Sequence, residues 1–213
     1  MKHIESLQNS TIKNILKLQE KSRERKKNGV FVIEGKREVS LAIKGNYTIT
    51  TLLFCDAFLS ENEISNFSTT ETELISVSKD VYQKIAYRNS TEGIIAIAKT
   101  RTFSLENIQF STSTPLILVA EAPEKPGNIG AILRTCDAAN VDAVFIANPK
   151  TDMYNPNIIR SSIGCLFTNQ IATGTSEEII AFLKEKKINS FATTLQNSNE
   201  YHKEDYTKAT AII

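Results

Sequence analysis

The residues whose spacing carries the most chemistry run from Glu121 to Thr135, through Lys125, Pro126, Gly127, Asn128, Gly130 and Arg134. The run follows an apolar stretch, Leu116 to Ala120, expected as a strand, and leads into a helix expected over 129–139. In an open parallel sheet, ligands bind outside the carboxyl ends of the strands, which is where this run falls. Asn128 is the expected N-cap, and the free amides of a first helical turn attract an anion such as a phosphate. Ile129, Ile132, Leu133 and Cys136 make the apolar face. Arg134 lies off that face, with Gly130 one turn before it and Asp137 one turn after. Spacing leaves two readings open: a guanidinium displayed beside bare backbone, or a surface pair of Arg134 with Asp137.

A second run, Asn155 to Cys165, reads similarly. Pro156 suits a first helical turn, and Ile159 with Ile163 forms an apolar stripe. Arg160 with Ser161 or Ser162 is then placed to contact phosphate or ribose. Ser162 and Gly164 fit the other reading better, as small residues that let a helix pack closely.

The elements that must hold these runs come in alternation. Ile12, Ile15, Leu16 and Gln19 share a helical face, and 30–33 reads as a buried strand. A helix over 38–42, strands over 50–54 and 74–77, a helix over 78–86 capped by Ser78, and a strand over 93–98 complete an α/β module of about 100 residues. The polar stretch 99–114 lacks periodicity, and the inter-domain linker is placed at 101–114. Strand and helix then alternate strictly: strands at 116–120, 143–147, 167–172 and 190–194, a helix after Pro156, and a helix capped by Ser176 running to Lys187. That order implies a largely parallel sheet covered on both faces. The fold class is α/β, with a domain over 1–100 and a second over 115–213.

Composition narrows the function classes. With 23% charged and 41% apolar residues the chain of 213 residues is an ordinary globular one, which excludes fibres and disordered tails. It has no bilayer-length apolar run and no apolar signal core after Met1, so a cytoplasmic location is expected. Cys55, Cys136 and Cys165 are scattered among apolar neighbours and read as buried free thiols; with His3 and His202 far apart, no metal site is expected. Net charge is +1, yet residues 1–45 hold eleven Lys and Arg against five Asp and Glu. The densest cluster, Lys21 to Lys27, is either a phosphate-neutralising arm that includes Lys26 and Lys27 or a solvated helix end. Neither Gly-x-Gly-x-x-Gly after a strand nor Gly-x-x-x-x-Gly-Lys-Ser/Thr occurs, which disfavours dinucleotide enzymes, ordinary Rossmann methyltransferases and P-loop nucleotidases. There is no Ser-centred nucleophile elbow.

The run Lys125-Pro-Gly-Asn-Ile-Gly-Ala-Ile-Leu-Arg134-Thr, followed by Tyr154-Asn-Pro-Asn-Ile-Ile-Arg160-Ser-Ser-Ile-Gly164, resembles the first motif of the SpoU class of RNA ribose methyltransferases and the segment downstream of it. Phe31-Val-Ile-Glu34-Gly35-Lys36-Arg37-Glu-Val and Thr91-Glu92-Gly93-Ile94 are similar to that family's N-terminal substrate-binding domain, which shares a fold with ribosomal RNA-binding proteins. The resemblance implies transfer of methyl from S-adenosylmethionine to a ribose 2′-hydroxyl, most often in ribosomal RNA, by a homodimer with a SPOUT-type trefoil knot. Arg134 matches the family's catalytic arginine and Asn128 its supporting asparagine. Gly130, Arg160, Ser161, Lys26, Lys27, Lys36 and Arg37 are then the expected RNA contacts, and Thr193, Thr194 and Leu195 the expected cofactor contacts. A guanidinium stays charged in proteins, so Arg134 is expected to stabilise the developing alkoxide or the adjacent phosphate rather than act as base.

Glu92, Cys136 and Asn140 depart from the family's commoner Gln, Ala and Gly. Relatives also continue past the strand matching Ala211 to Ile213 into Gly-x-Glu, Ile-Pro and Ser-Leu-Asn segments that build the cofactor pocket and tie the knot. The apolar close of this sequence leads to the expectation of a longer parent, and of a 213-residue form that is unknotted and binds the cofactor weakly. Two rival readings are a non-catalytic RNA-binding or ribosome-assembly protein on the same fold and a small-molecule α/β enzyme.

Overall fold

A computed structural model describes residues 2–87 and 92–213; Thr91, quoted above, lies outside them. The first half runs β1 (Lys2–Ile4), α1 (Ser10–Glu20), α2 (Ser22–Asn28), β2 (Val30–Glu34), α3 (Lys36–Lys44), β3 (Ile49–Phe54), α4 (Glu61–Ile64), β4 (Glu73–Val77), α5 (Lys79–Ile85) and β5 (Ile94–Lys99). The second half runs β6 (Leu116–Glu121), α6 (Pro126–Ala138), β7 (Ala143–Ala147), α7 (Pro156–Ser161), β8 (Ile171–Gly174), α8 (Ser176–Glu185), β9 (Asn189–Phe191) and β10 (Thr210–Ile212). By internal contacts the chain divides into a first unit, Met1–Arg101 with Asp152–Thr168, and a second, Thr102–Thr151 with Asn169–Ile213. The excursion Asp152–Thr168, which carries α7, therefore packs with the first unit.

The first unit holds a five-stranded sheet in the order β1-β4-β3-β5-β2. β4 pairs parallel with β1 and β3, whereas β5 runs antiparallel to β3 and β2. Asn9 starts α1 by accepting the Thr11 amide, and the helix buries Ile12, Ile15 and Leu18 completely. Each such side chain contributes about 1.5–3 kcal/mol on leaving water. Leu18 takes the place expected for Gln19, and Leu16 packs at the margin of the core. The basic cluster turns out to be a helix of its own, α2, ended by Gly29 at φ 63°. The three-residue β1 carries no periodicity to betray it.

The excursion is fastened by a buried ion pair and a ring cluster. Arg25 Nε sits 2.5 Å from Asp152 Oδ2, with side chains only 3% and 10% exposed. Its Nη1 donates to the Leu18 carbonyl at 2.6 Å. Phe31 stacks on Tyr154 at 4.1 Å between centroids, and Phe167 and Tyr47 close the group. The Tyr154 hydroxyl accepts the Arg101 amide at 2.8 Å and donates to the Arg101 carbonyl at 3.1 Å. Burial is the main reason that the Tyr154 phenol is pushed well above its ordinary pKa. Gly164 permits the close approach expected of it: φ is 87°, and a Cβ there would meet Leu41 Cδ1 at 2.8 Å. Because Phe167 belongs to this ring cluster, the strand expected at 167–172 begins only at Ile171.

In the second unit the sheet is wholly parallel, ordered β8-β7-β6-β10-β9. β7 is buried at every position, as a strand covered on both faces must be. β10 lies between β6 and β9 with its ladder paired on both sides. Residues 102–114 run along this unit, where Phe103 accepts the Thr173 amide at 2.8 Å and Leu105, Ile108 and Phe110 pack on the core. Thr175, not Ser176, caps α8, in a capping box with Glu178.

Candidate functional site

α6 starts three residues earlier than expected. Pro126 is its first residue and Lys125 its N-cap, so Asn128 sits inside the first turn and is not the cap. Proline's fixed φ and missing amide hydrogen suit the opening position and draw the helix start back to it. Ile129, Leu133 and Cys136 are buried and Ile132 is half-buried. Gly130 is buried too, so it presents no open backbone beside Arg134. Arg134 itself is exposed, as is Asn128. An exposed guanidinium keeps its charge and its full set of donors available to an anion.

The carboxyl ends of the parallel strands carry a polar network. Glu121, at the end of β6, accepts from Ser176 Oγ at 2.5 Å and from Asn148 Nδ2 at 3.0 Å. Asn148 also donates to Ser176 Oγ at 2.8 Å. These bonds, Ser176 first and Asn148 second, hold the Glu121 carboxyl below its ordinary pKa. Next along the edge, the ends of β9 and β10 and the chain between them line an open cavity of about 730 Å³, with Phe191, Thr193, Thr194, Asn199, Glu204 and Tyr206 in its wall. The Thr193 amide and hydroxyl both donate to the Ile213 carbonyl, at 2.8 and 2.9 Å. Leu195, expected beside them, is not in the wall and is fully exposed.

The cavity lies within the size range of small-ligand sites, about 300–1,000 Å³. Its wall also suits an adenosyl sulfonium. Phe191 and Tyr206 lie 4.8 Å apart and offer ring faces to a cation or a purine. Glu204 and Asn199, joined at 3.0 Å, offer an acceptor and a donor for ribose hydroxyls or an amino group. The residues present therefore fit S-adenosylmethionine.

In the first unit, Arg160 is exposed at the end of α7, its guanidinium 5.7 Å from the Tyr87 ring centroid. The Ser161 hydroxyl donates back to the Asn157 carbonyl at 2.5 Å, which leaves it only acceptor capacity. Lys26 and Lys27 are exposed on α2. Arg37 is exposed, whereas Lys36 bridges to Glu63 at 3.2 Å. Sequence reasoning missed Tyr87, Asp152, Asn148 and the cavity aromatics. Only the position of Asn148, just past a buried strand, offered any signal.

Two family profiles match the chain in succession. The MRM3-like substrate binding domain matches residues 9–96, and the SpoU rRNA Methylase family matches 115–213. The chain thus pairs an MRM3-like substrate binding domain in its first half with a SpoU methylase domain in its second. Among similar proteins, the 23S rRNA (guanosine(2553)-2′-O)-methyltransferase RlmP of Bacillus subtilis (strain 168) is 28% identical over 213 residues, 100% of this chain and 82% of the relative. The 23S rRNA (uridine(2479)-2′-O)-methyltransferase of Streptomyces viridochromogenes is 29% identical over 146 residues, 66% of this chain and 49% of the relative. A crystal structure described as an RNA 2′-O ribose methyltransferase superposes with a TM-score of 0.81 at 29% identity, covering 99% of this chain and 80% of that one. An AdoMet-bound rRNA methyltransferase from Sinorhizobium meliloti shares the fold, with a TM-score of 0.88 at 24% identity over 99% of this chain and 79% of that one. The α/β fold expected of a SpoU protein is thus the fold observed, and the reading as a non-catalytic binder is not favoured.

Proposed function

We propose that this SpoU protein transfers the methyl group of S-adenosylmethionine to a ribose 2′-hydroxyl of ribosomal RNA, with Arg134 as the catalytic residue. The observation that carries the reading is the pairing, within one parallel-sheet unit, of an edge cavity suited to a nucleoside with an exposed guanidinium on α6. Relatives named as 23S rRNA 2′-O-methyltransferases support it. They differ in the nucleotide they are named for, guanosine in one and uridine in the other, so the base is left to the RNA-contacting residues.

When bound, the cofactor supplies an electrophilic methyl on a sulfonium centre. The chain's part is to hold the reactants and to stabilise charge. Phe191 and Tyr206 give the cavity an aromatic wall, while Thr193 and Thr194 border it. Asn128, exposed on the first turn of α6, orients the RNA beside Arg134. The ribose hydroxyl is a weak acid, and its oxygen gains negative charge as its proton leaves. The fixed positive charge of Arg134 lowers the energy of that alkoxide-like oxygen or of the neighbouring phosphate, an electrostatic role worth most where water is excluded. Arg160, Ser161, Lys26, Lys27, Lys36 and Arg37 bind the RNA, largely through phosphates. A homodimer in the cytoplasm completes the proposal. Leu195 and Tyr201 support self-association as large, exposed apolar side chains.

Ribose-methylation mapping of total RNA from cells with and without the gene tests the reading. Loss of one ribosomal 2′-O-methyl mark is expected on deletion, restored by the unaltered gene and not by Arg134→Lys. An unchanged methylation map on deletion would defeat the proposal.

A further inference from the structure

Tyr87 is a large aromatic residue with 49% of its surface exposed, and the fold holds it there from both sides. Its backbone amide donates to Glu34 Oε2 at 2.7 Å. Two residues earlier, the Ile85 carbonyl that ends α5 accepts from Gln19 Nε2, also at 2.7 Å. The ring borders a small notch whose wall includes Gln19, Glu34, Pro156, Ile159 and Arg160. At about 20 Å³ the notch admits little more than one water, so a ligand cannot enter it. What the place offers is its rim: an exposed ring, a guanidinium 5.7 Å from the ring centroid and the apolar edge of Pro156.

An exposed aromatic ring pinned next to an arginine is the means by which proteins hold unpaired bases, because every base has a stackable face and the adjoining phosphate needs a cation. Tyr87, Glu34 and Gln19 lie within the stretch matching a substrate-binding domain, while Arg160 comes from the stretch matching the methylase family. The excursion Asp152–Thr168 brings them into one unit. We infer that Tyr87 and Arg160 form a stacking platform for one unpaired nucleobase of the RNA substrate, the ring taking the base face and the guanidinium the adjoining phosphate or base edge. The inference rests on the proposed RNA substrate and assigns a base contact where contacts to phosphate or ribose were expected.

Fluorescence anisotropy tests it with a labelled 12-nucleotide oligouridylate and a labelled RNA duplex of equal length, at one fixed salt concentration. Tyr87→Ala is expected to weaken oligouridylate binding by about 5- to 150-fold, the span of a single lost base stack, and to leave duplex binding within about twofold. Tyr87→Phe and Tyr87→Trp keep both affinities. A thermal melt of each variant separates lost stacking from lost folding. Equal weakening on both RNAs, or full affinity in Tyr87→Ala, would overturn the platform. If the unaltered chain binds neither RNA, the substrate reading itself fails and the platform with it; binding of the duplex alone rejects the platform and spares that reading.

Discussion

Two arginines on helices, Arg25 in α2 and Arg134 in α6, show how one side chain serves opposite ends in two regions of the molecule. Arg25 is 2% exposed, with Asp152 and the Leu18 and Gln19 carbonyls taking its donors. Arg134 stands exposed. A guanidinium buried in this way, with Nε and Nη1 committed to the chain, acts as a rivet; one left in solvent contributes little to folding and stays accessible to an incoming anion. Environment rather than residue type separates the two, and each half of the contrast can be broken separately.

The largest effect is expected on the buried side. Asp152→Ala strands the Arg25 charge and should cost about 3–5 kcal/mol in urea unfolding, whereas replacing both partners with Met and Leu should recover most of it. If Asp152→Ala unfolds at the unaltered urea midpoint, Arg25 is no rivet. On the exposed side, Arg134→Lys should lower methyl-transfer turnover on the order of 10²-fold, about 3 kcal/mol, with RNA affinity unchanged and stability within about 0.5 kcal/mol. A turnover close to normal would remove Arg134 from the chemistry. Tyr154→Phe tests whether the rivet depends on its polar surroundings: with the Arg101 amide left unpaired, about 1–2 kcal/mol of stability should go.

The smallest expected effect concerns the exposed polar network. Ser176 and Asn148 depress the folded-state pKa of Glu121 below its unfolded value. Such a group lends stability above its unfolded pKa, and that contribution disappears as pH falls through the folded pKa. Ser176→Ala should move the Glu121 titration, followed by carboxyl NMR, back up toward the ordinary range. An unmoved curve would mean that these hydrogen bonds do not persist in solution.

Regular patterning carried the fold further than the site. The all-apolar run 143–147 is a strand between the expected bounds, because burial on both faces leaves a continuous signal. The start of β8 was displaced because Phe167, read as strand, is claimed by rings at Phe31 and Tyr47 that no local pattern reveals. Asn128 illustrates competition between two local rules, since the preference of proline for a first turn outweighed that of asparagine for a cap. The exposure of Arg134 was legible from its place off an apolar stripe. The Arg25–Asp152 pair and the Tyr87–Arg160 platform were not, because their members lie 127 and 73 positions apart in the chain, at separations where spacing holds no information.

The division of the chain has a practical corollary for protein engineering. The backbone crosses between the units after Arg101, after Thr151 and after Thr168. No single cut therefore liberates either half intact: a fragment ending at Arg101 forfeits Tyr154, Phe167 and the counter-ion of Arg25, and exposes the apolar bed beneath them. Grafting the first unit onto the second unit of a relative therefore calls for a two-piece transplant, with 152–168 travelling alongside 1–101.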